Sequence, residues 1–276
     1  LISDRPAHAI DQIFGRSKAL IGMIHCPPFP GAPRYKGEPL AQIYDSCLRD
    51  AEALIANGIH GLMVENHGDL PFLKPDDITC ETAAFMAVVT DRLKSAFDVP
   101  IGVNVLANAP IPAIAIAAAG GAQFIRVNQW ANAYIANEGF IEGRAGEALR
   151  FRARLRQDGI RIFADAHVKH GAHAIVADRS IPEQTRDLAF FDADGVIATG
   201  QRTGDAANPA EIKVIRDATH LPLLVGSGVS EANIGEILAL TNGVIVASSL
   251  KVDGVWWNAV DPARVRRFVE AAAPHL

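Results

Sequence analysis

Cysteine is scarce in this chain, three in 276 residues, and Cys26, Cys47 and Cys80 form no Cys-x-x-Cys pair. An odd, scattered set of thiols argues against a disulfide framework and fits a reducing, cytoplasmic setting. Basic excess is also lacking: 26 Lys and Arg stand against 31 Asp and Glu, a net charge of −5. No basic stripe is present, so no nucleic-acid partner is expected. An anionic substrate would need a local pocket of cations or backbone amides, because the overall field does not attract it. No apolar run is long enough to cross a membrane; the Ala-rich stretch at 110–121 is too short and fits a barrel helix, so no membrane insertion is expected. Asp4 and Arg5 interrupt the start, which does not read as a signal peptide. A Gly-x-x-x-x-Gly-Lys-[Ser/Thr] loop is missing, which disfavours a nucleotide-binding hydrolase, and so is His-Glu-x-x-His. Low-complexity tracts, tandem repeats and internal domain boundaries are not evident.

What is present is a rhythm. Short Val- and Ile-rich runs alternate with helix-like segments, and 49% of residues are hydrophobic. Eight such runs stand at Ala19–His25, 59–65, 101–105, Phe124–Val127, 161–167, Gly195–Ala198, 223–226 and 243–247. Their nearly continuous apolar character suits parallel strands buried on both faces. Between them, Leu40, Ile43, Tyr44, Leu48, Ala51, Leu54 and Ile55 recur at helical spacing, with Gly58 as a stop. Asn208-Pro209, Ser180-Ile-Pro-Glu183 and Asp261-Pro262 are helix starts. The expected fold is α/β, a single (β/α)8 TIM barrel of eight parallel strands in one domain over 1–276. Residues 1–18 form a helical lead-in, 19–251 the barrel strands and 252–276 a C-terminal helix. The βα loops at 26–39, 66–77 and 128–143 are long and that at 168–179 intermediate, so lids and binding loops are expected on the C-terminal face.

Chemistry is therefore sought at strand ends. After the seventh strand comes Gly226-Ser227-Gly228-Val-Ser230, entering a helix near Glu231; after the eighth come Ser248 and Ser249. Small residues and amides in these two loops predict a phosphate site. On the fifth strand Asp165, His167 and Lys169 alternate, which points them one way as acid–base groups or metal ligands, or with Lys169 as a Schiff-base amine. Glu65 ends the second strand, and a carboxylate there is a candidate general base. His25 ends the first, ahead of a proline-stiffened loop. Asn104, Arg126 and Asn128 occupy the third and fourth strand ends, where Arg126 pairs a carboxylate or holds an anion and the amides orient hydroxyls. Thr199-Gly200 opens a further lip over residues 200–205. His170 and His173 are taken as exposed and non-functional. His25, Glu65, Asp165 and His167 form a conceivable metal set, but spacing cannot decide it; no cofactor is expected, with a divalent metal left open.

Ile21-Gly-Met-Ile-His-Cys-Pro-Pro-Phe-Pro-Gly31, Gly61-Leu-Met-Val-Glu-Asn66, Ala164-Asp-Ala-His-Val-Lys-His170, Gly226-Ser-Gly-Val229 and Val244-Ile-Val-Ala-Ser-Ser-Leu-Lys251 resemble the BtpA/SgcQ family, over about residues 20–251. The resemblance implies a ribulose-phosphate-binding-type barrel, and through the family's name a link to photosystem I biogenesis; some members sit among sugar-utilisation genes. Two readings follow. In one, the protein is an enzyme, an isomerase or aldolase-like lyase acting on a small phosphorylated sugar or related phosphate ester by proton abstraction next to a carbonyl. The phosphate binds Gly226, Ser227, Gly228, Ser248 and Ser249; Glu65 or Asp165 takes the proton and His167 or Lys169 polarises the oxygen. In the other, the barrel is a non-catalytic assembly scaffold, which would tolerate Asp165→Asn. A homo-oligomer is expected, and Trp256-Trp257 lie at an interface, cap the barrel or line the site.

Overall fold

The computed structural model describes residues 8–200 and 207–276. The first seven residues of the lead-in and most of the 200–205 lip lie outside the described residues. In chain order the helices are α1 (Ala9–Phe14), α2 (Leu40–Ile55), α3 (Cys80–Ala96), α4 (Pro110–Gly120), α5 (Ala145–Arg154), α6 (Ile181–Phe190), α7 (Pro209–Ala218), α8 (Ile234–Leu240) and α9 (Pro262–Ala272). The strands are β1 (Ala19–His25), β2 (Gly61–Glu65), β3 (Ile101–Asn104), β4 (Phe124–Val127), β5 (Ala133–Ala136), β6 (Gly139–Glu142), β7 (Arg161–Asp165), β8 (Gly195–Ala198), β9 (Leu223–Val225) and β10 (Gly243–Val246). Eight of them close a parallel barrel in the order β1-β10-β9-β8-β7-β4-β3-β2, with helices interleaved: a TIM barrel.

Strand alternation divides the core in two. Leu20 and Ile24 of β1 join Ile43 and Leu54 of α2 in the layer between strands and helices. Ile21 and Met23 join Phe124, Phe163, Ile197, Leu224 and Ile245 inside the barrel. The Phe rings fit because their neighbours are glycines: a Cβ on Gly102 would lie 2.1 Å from the Phe124 ring, and one on Gly195 2.2 Å from the Phe163 ring. Ile10, Ile13 and Phe14 of α1 pack into this inner cluster. The interior is therefore apolar at that end, and its polar side chains gather at the other. The helix starts follow the sequence: Asn208 accepts from the Ala210 N–H, and Asp261 from the N–H groups of Ala263 and Arg264.

Four local differences from the sequence reading matter. Strand β2 begins at Gly61, two residues later than the pattern indicates. Strand β7 ends at Asp165 and the chain bends at 166–167, so alternation does not carry on to His167 and Lys169. Helix α8 begins at Ile234, after a turn at 231–233. The 128–143 loop holds an antiparallel hairpin, β5–β6, pairing Ala133 with Glu142 and Ala136 with Gly139. The N–H of Ile135 donates to the Ala172 carbonyl (3.1 Å) and that of Ala172 to the Ile135 carbonyl (2.8 Å), stitching the hairpin to the next loop.

Past β10, Lys251 is buried and structural. Its Nζ donates to Asp50 Oδ2 on α2 (2.9 Å) and to the Asn258 carbonyl (3.0 Å), while Asp50 Oδ1 accepts from the Val260 N–H. This pins the 252–260 segment over the barrel mouth. Trp256 on it lines the mouth, whereas Trp257 is 69% exposed.

Candidate active site

A cavity of about 670 Å³ opens at the C-terminal end of the barrel. It is lined by His25, Glu65, Asn104, Arg126, Asn128 and Lys169, with Gly226, Ser227, Gly228, Ser248 and Ser249 on one rim. Asp165 and His167 are not among the lining residues. The barrel order puts the β10 end next to β1 with β9 beyond it, and the two lie opposite β4 and β3.

The first polar group spans β1, β2 and β3. His67 Nδ1 lies 2.9 Å from Glu65 Oε1, and His25 Nε2 lies 3.6 Å from the same oxygen. Asn104 Nδ2 donates to Glu65 Oε2 at 2.6 Å. The other nitrogen of His25, Nδ1, is 3.2 Å from the Trp256 carbonyl. The rings of His25 and His67 stack at 4.5 Å, and the Trp256 ring meets His67 edge-on at 4.4 Å. Burial would raise the Glu65 carboxyl, but the hydrogen bond and charge of His67, helped by Arg126, win and hold it well below the usual carboxylate range. His25 is pushed down to about 3 by burial first and by His67 second, so its ring is neutral.

The second polar group spans β4 and β7. Arg126 grips Asp165 with two bonds, Nε to Oδ1 and Nη2 to Oδ2, both 3.0 Å. Asn128 Nδ2 adds a third, to Oδ2 at 3.1 Å. The Asp165 side chain is fully enclosed and that of Arg126 5% exposed. Register explains the meeting: Arg126 pairs with Phe163, so alternation sets Asp165 one step up on the same interior face. Asn104 and Asn128 thus play the same part on opposite carboxylates. Because each must present its NH2 to an oxygen, the amide orientation is settled, and the Oδ1 of each is buried without a hydrogen-bond partner.

The rim at 226–230 and 248–249 is tied internally. Ser249 Oγ donates to the Val229 carbonyl at 2.6 Å, joining the two loops. Asn233 accepts from the Ser230 N–H and donates to the Gly228 carbonyl, closing the turn in which Gly228 takes φ +63°. Residues 248–250 form a single 3-10 turn, whose first amides, on Ser248 and Ser249, have no intrahelical partner. Gly226 has a packing role: a Cβ there would lie 2.9 Å from Ile197 Cγ2 and 3.4 Å from Arg126 Nη2. Arg126 therefore reaches from β4 to the base of the opposite rim.

His167 turns outward from the bend, with Nδ1 3.3 Å from Glu211 Oε1 on α7 and its ring 4.1 Å from His173. His173 is half-buried, stacked on Tyr134 of the hairpin and bonded to the Val168 carbonyl. His170 is exposed at the cavity rim beside Lys169. Sequence reasoning did not single out His67 or Asn233, and it left Trp256 between an interface, a cap and the site, of which the structure shows Trp256 lining the cavity. His67 had a signal, since Glu65 and His67 are two apart at a strand end; Asn233 acts from a loop and had none.

A family model described as the BtpA family matches residues 16–274. Among relatives, the photosystem I biogenesis protein BtpA of Synechocystis is 38% identical over 96% of this chain and 91% of its own. An uncharacterised mitochondrial protein of Caenorhabditis elegans is 36% identical over 95% of both chains. Among solved structures, tryptophan synthase from M. tuberculosis superposes with a TM-score of 0.60 at 17% identity, covering 98% of this chain and all of that one. N-(5'-phosphoribosyl)anthranilate isomerase from Pyrococcus furiosus gives 0.55 at 13%, covering 93% and 99%. At such identities the structural matches speak for the barrel fold alone.

Proposed function

The chain belongs to the BtpA family, and from that premise we propose that it is an enzyme acting on a small phosphorylated sugar or related phosphate ester, by proton abstraction next to a carbonyl. Isomerase and aldolase chemistry both fall in that class. The supporting observation is the pairing of two walls in one cavity. The rim at Gly228, Ser248 and Ser249 offers amides and small residues to an anion. The facing wall, on β3 and β4, carries Asn104 and Asn128, each with a buried Oδ1 lacking a partner. An unpartnered buried acceptor costs about 1–3 kcal/mol, which a ligand hydroxyl would offset. A molecule with a phosphate at one end and hydroxyls along its length answers both walls. The reacting end then falls at the third polar feature, the His25–Glu65–His67 corner beside the rim. Of the two carboxylates, Glu65 lines the cavity and Asp165 is taken up by Arg126 and Asn128.

The test is thermal denaturation with phosphorylated sugars and their unphosphorylated counterparts. Ligand binding to the folded state raises the midpoint by mass action. Selective stabilisation by phosphorylated compounds, abolished in Ser248→Glu with the unliganded midpoint retained, is the expected result. No phosphate-selective shift from any compound overturns the reading. Borohydride reduction with a stabilising carbonyl compound then separates the subclasses, since only a Schiff-base aldolase leaves a mass adduct on Lys169.

A non-catalytic scaffold is the second reading, prompted by the name of the Synechocystis relative. The mitochondrial relative from a nematode, an organism without photosystems, weighs against it. So does the corner itself, because ionisable groups enclosed together are costly and a scaffold has no use for them.

A further inference from the structure

We propose that His25, Glu65 and His67 bind a divalent first-row transition-metal ion, with the Trp256 carbonyl and Asn104 holding the ligands in place. The inference concerns the same cavity as the phosphate-ester reading, but the metal can be tested without any phosphate compound.

The geometry carries it. One ligand atom from each of the three residues can be chosen so that all lie within 4.8 Å of one another. Two ligands about 2.1 Å from a tetrahedral ion stand about 3.4 Å apart. The separations of His67 Nδ1 and His25 Nε2 from Glu65 Oε1, 2.9 and 3.6 Å, bracket that value. Among the described residues no other group of three His, Cys, Asp or Glu side chains converges in this way.

The orientation of His25 is the second observation. A carbonyl only accepts, so the contact with Trp256 places the ring proton of His25 on Nδ1. Nε2 then presents its lone pair toward a carboxylate oxygen, and at 3.6 Å no hydrogen bond joins the two. Two electron-rich atoms aimed at each other in a buried site are unfavourable alone and favourable around a cation. A metal-ligating His characteristically donates its other N–H to a backbone carbonyl, and a ligating carboxylate has its second oxygen fixed by a donor. Asn104 supplies that donor to Glu65 Oε2 at 2.6 Å. The 252–260 segment that delivers the Trp256 carbonyl is itself anchored by the Lys251–Asp50 pair.

The donor set chooses the ion. Two imidazoles and one carboxylate suit zinc, iron, cobalt or manganese, and are poor for magnesium or calcium, which take oxygen ligands. Three protein ligands also leave a coordination position for a water or a substrate oxygen, as in catalytic rather than structural sites. All three residues line the cavity, so that position faces the substrate. Glu65 then serves as a ligand, and the ion supplies the positive charge that an enediolate oxygen needs.

The test is titration of the chelator-treated full chain with Co²⁺ and Zn²⁺, read by cobalt visible absorption and by direct binding stoichiometry. One equivalent per chain with d–d bands is expected, and Mg²⁺ should not compete at comparable concentration. His25→Gln, His67→Gln and Glu65→Gln should each weaken binding at least 100-fold, whereas His167→Gln should bind like the parent. Circular dichroism of each variant checks the fold, and Glu65→Gln keeps the shape of its site if either His variant does not. Absence of stoichiometric binding in the parent overturns the proposal, as does unchanged binding in a folded corner variant or equal loss in His167→Gln. Failure here leaves the phosphate-selective shifts standing, and failure of those leaves the metal standing.

Discussion

Asp165 and Glu65 are both buried carboxylates at the top of barrel strands, both approached by an asparagine from the neighbouring strand, and they are treated in opposite ways. Asp165 meets a guanidinium that fills both its oxygens, and its side chain is sealed from the cavity. Glu65 meets two imidazoles, one bonded and one turned to face it without a bond, at the cavity wall. The first arrangement is closed electrostatically within the protein. The second is completed only by something else. The difference lies in the partners' chemistry: Arg stays protonated, whereas His can release its proton and act as a donor atom.

Breaking the closed cluster should therefore have the largest effect on stability. Asp165→Asn leaves an enclosed guanidinium that cannot deprotonate, and it should lower unfolding free energy by about 3–5 kcal/mol. Urea unfolding, followed by the midpoint at constant m, reads this directly. A consequence is that Asp165→Asn cannot separate enzyme from scaffold, because either would suffer it. An unchanged midpoint would mean that Arg126 and Asp165 are not paired in solution, and the contrast with Glu65 would fall.

A smaller loss is expected from crowding the same cluster. Gly226→Ala places a methyl 2.9 Å from Ile197 and 3.4 Å from Arg126. Overpacking of this kind should cost about 1–3 kcal/mol. The thermal midpoint checks it, and equal stability would show that Arg126 has room to retreat from the rim. Next comes Ser249→Ala, which removes the bond to the Val229 carbonyl. About 0.5–1.5 kcal/mol should be lost, together with much of the midpoint rise from a phosphorylated ligand, since the two rim loops are no longer tied. A full ligand shift in this variant would place the anion elsewhere.

Much of the barrel can be read before any coordinates, and particular residues say why. Short Val- and Ile-rich runs, several of them entered through a glycine such as Gly58, Gly121 or Gly159, mark the eight barrel strands, because burial on both faces leaves few other compositions. Strand ends put Glu65, His25, Asn104 and Arg126 at the mouth, since alternation is a local rule. What cannot be read depends on partners distant in the chain. Nothing local says that Arg126 takes Asp165 out of the cavity, because that follows from the β4–β7 register. His167 and Lys169 continue the alternating pattern on paper, but the strand stops at Asp165 and His167 turns to Glu211. The hairpin at 133–142 hides inside a long loop, because its two four-residue strands are short and form a sheet of their own outside the barrel. Trp256 contributes a backbone carbonyl, and no side-chain pattern announces that.

The smallest effect on stability, and the sharpest on function, belongs to Glu65→Gln. The amide keeps an oxygen to accept from Asn104 and offers N–H groups toward the nitrogens of His25 and His67. An imidazole, unlike a guanidinium, can give up its proton, so no permanent charge is stranded, in contrast to Arg126 beside an altered Asp165. Unfolding free energy should change by less than about 1 kcal/mol, the scale of one exchanged hydrogen bond. Turnover of any phosphorylated compound that stabilises the protein should nevertheless fall by about 10²-fold or more, since the reacting end has lost its charge. Measured side by side, the two isosteric changes should move in opposite directions: Asp165→Asn loses stability first, Glu65→Gln loses activity with the fold intact. If Glu65→Gln instead unfolds as readily as Asp165→Asn, the corner is a structural ion cluster like the other, and the division between a closed and an open carboxylate does not hold.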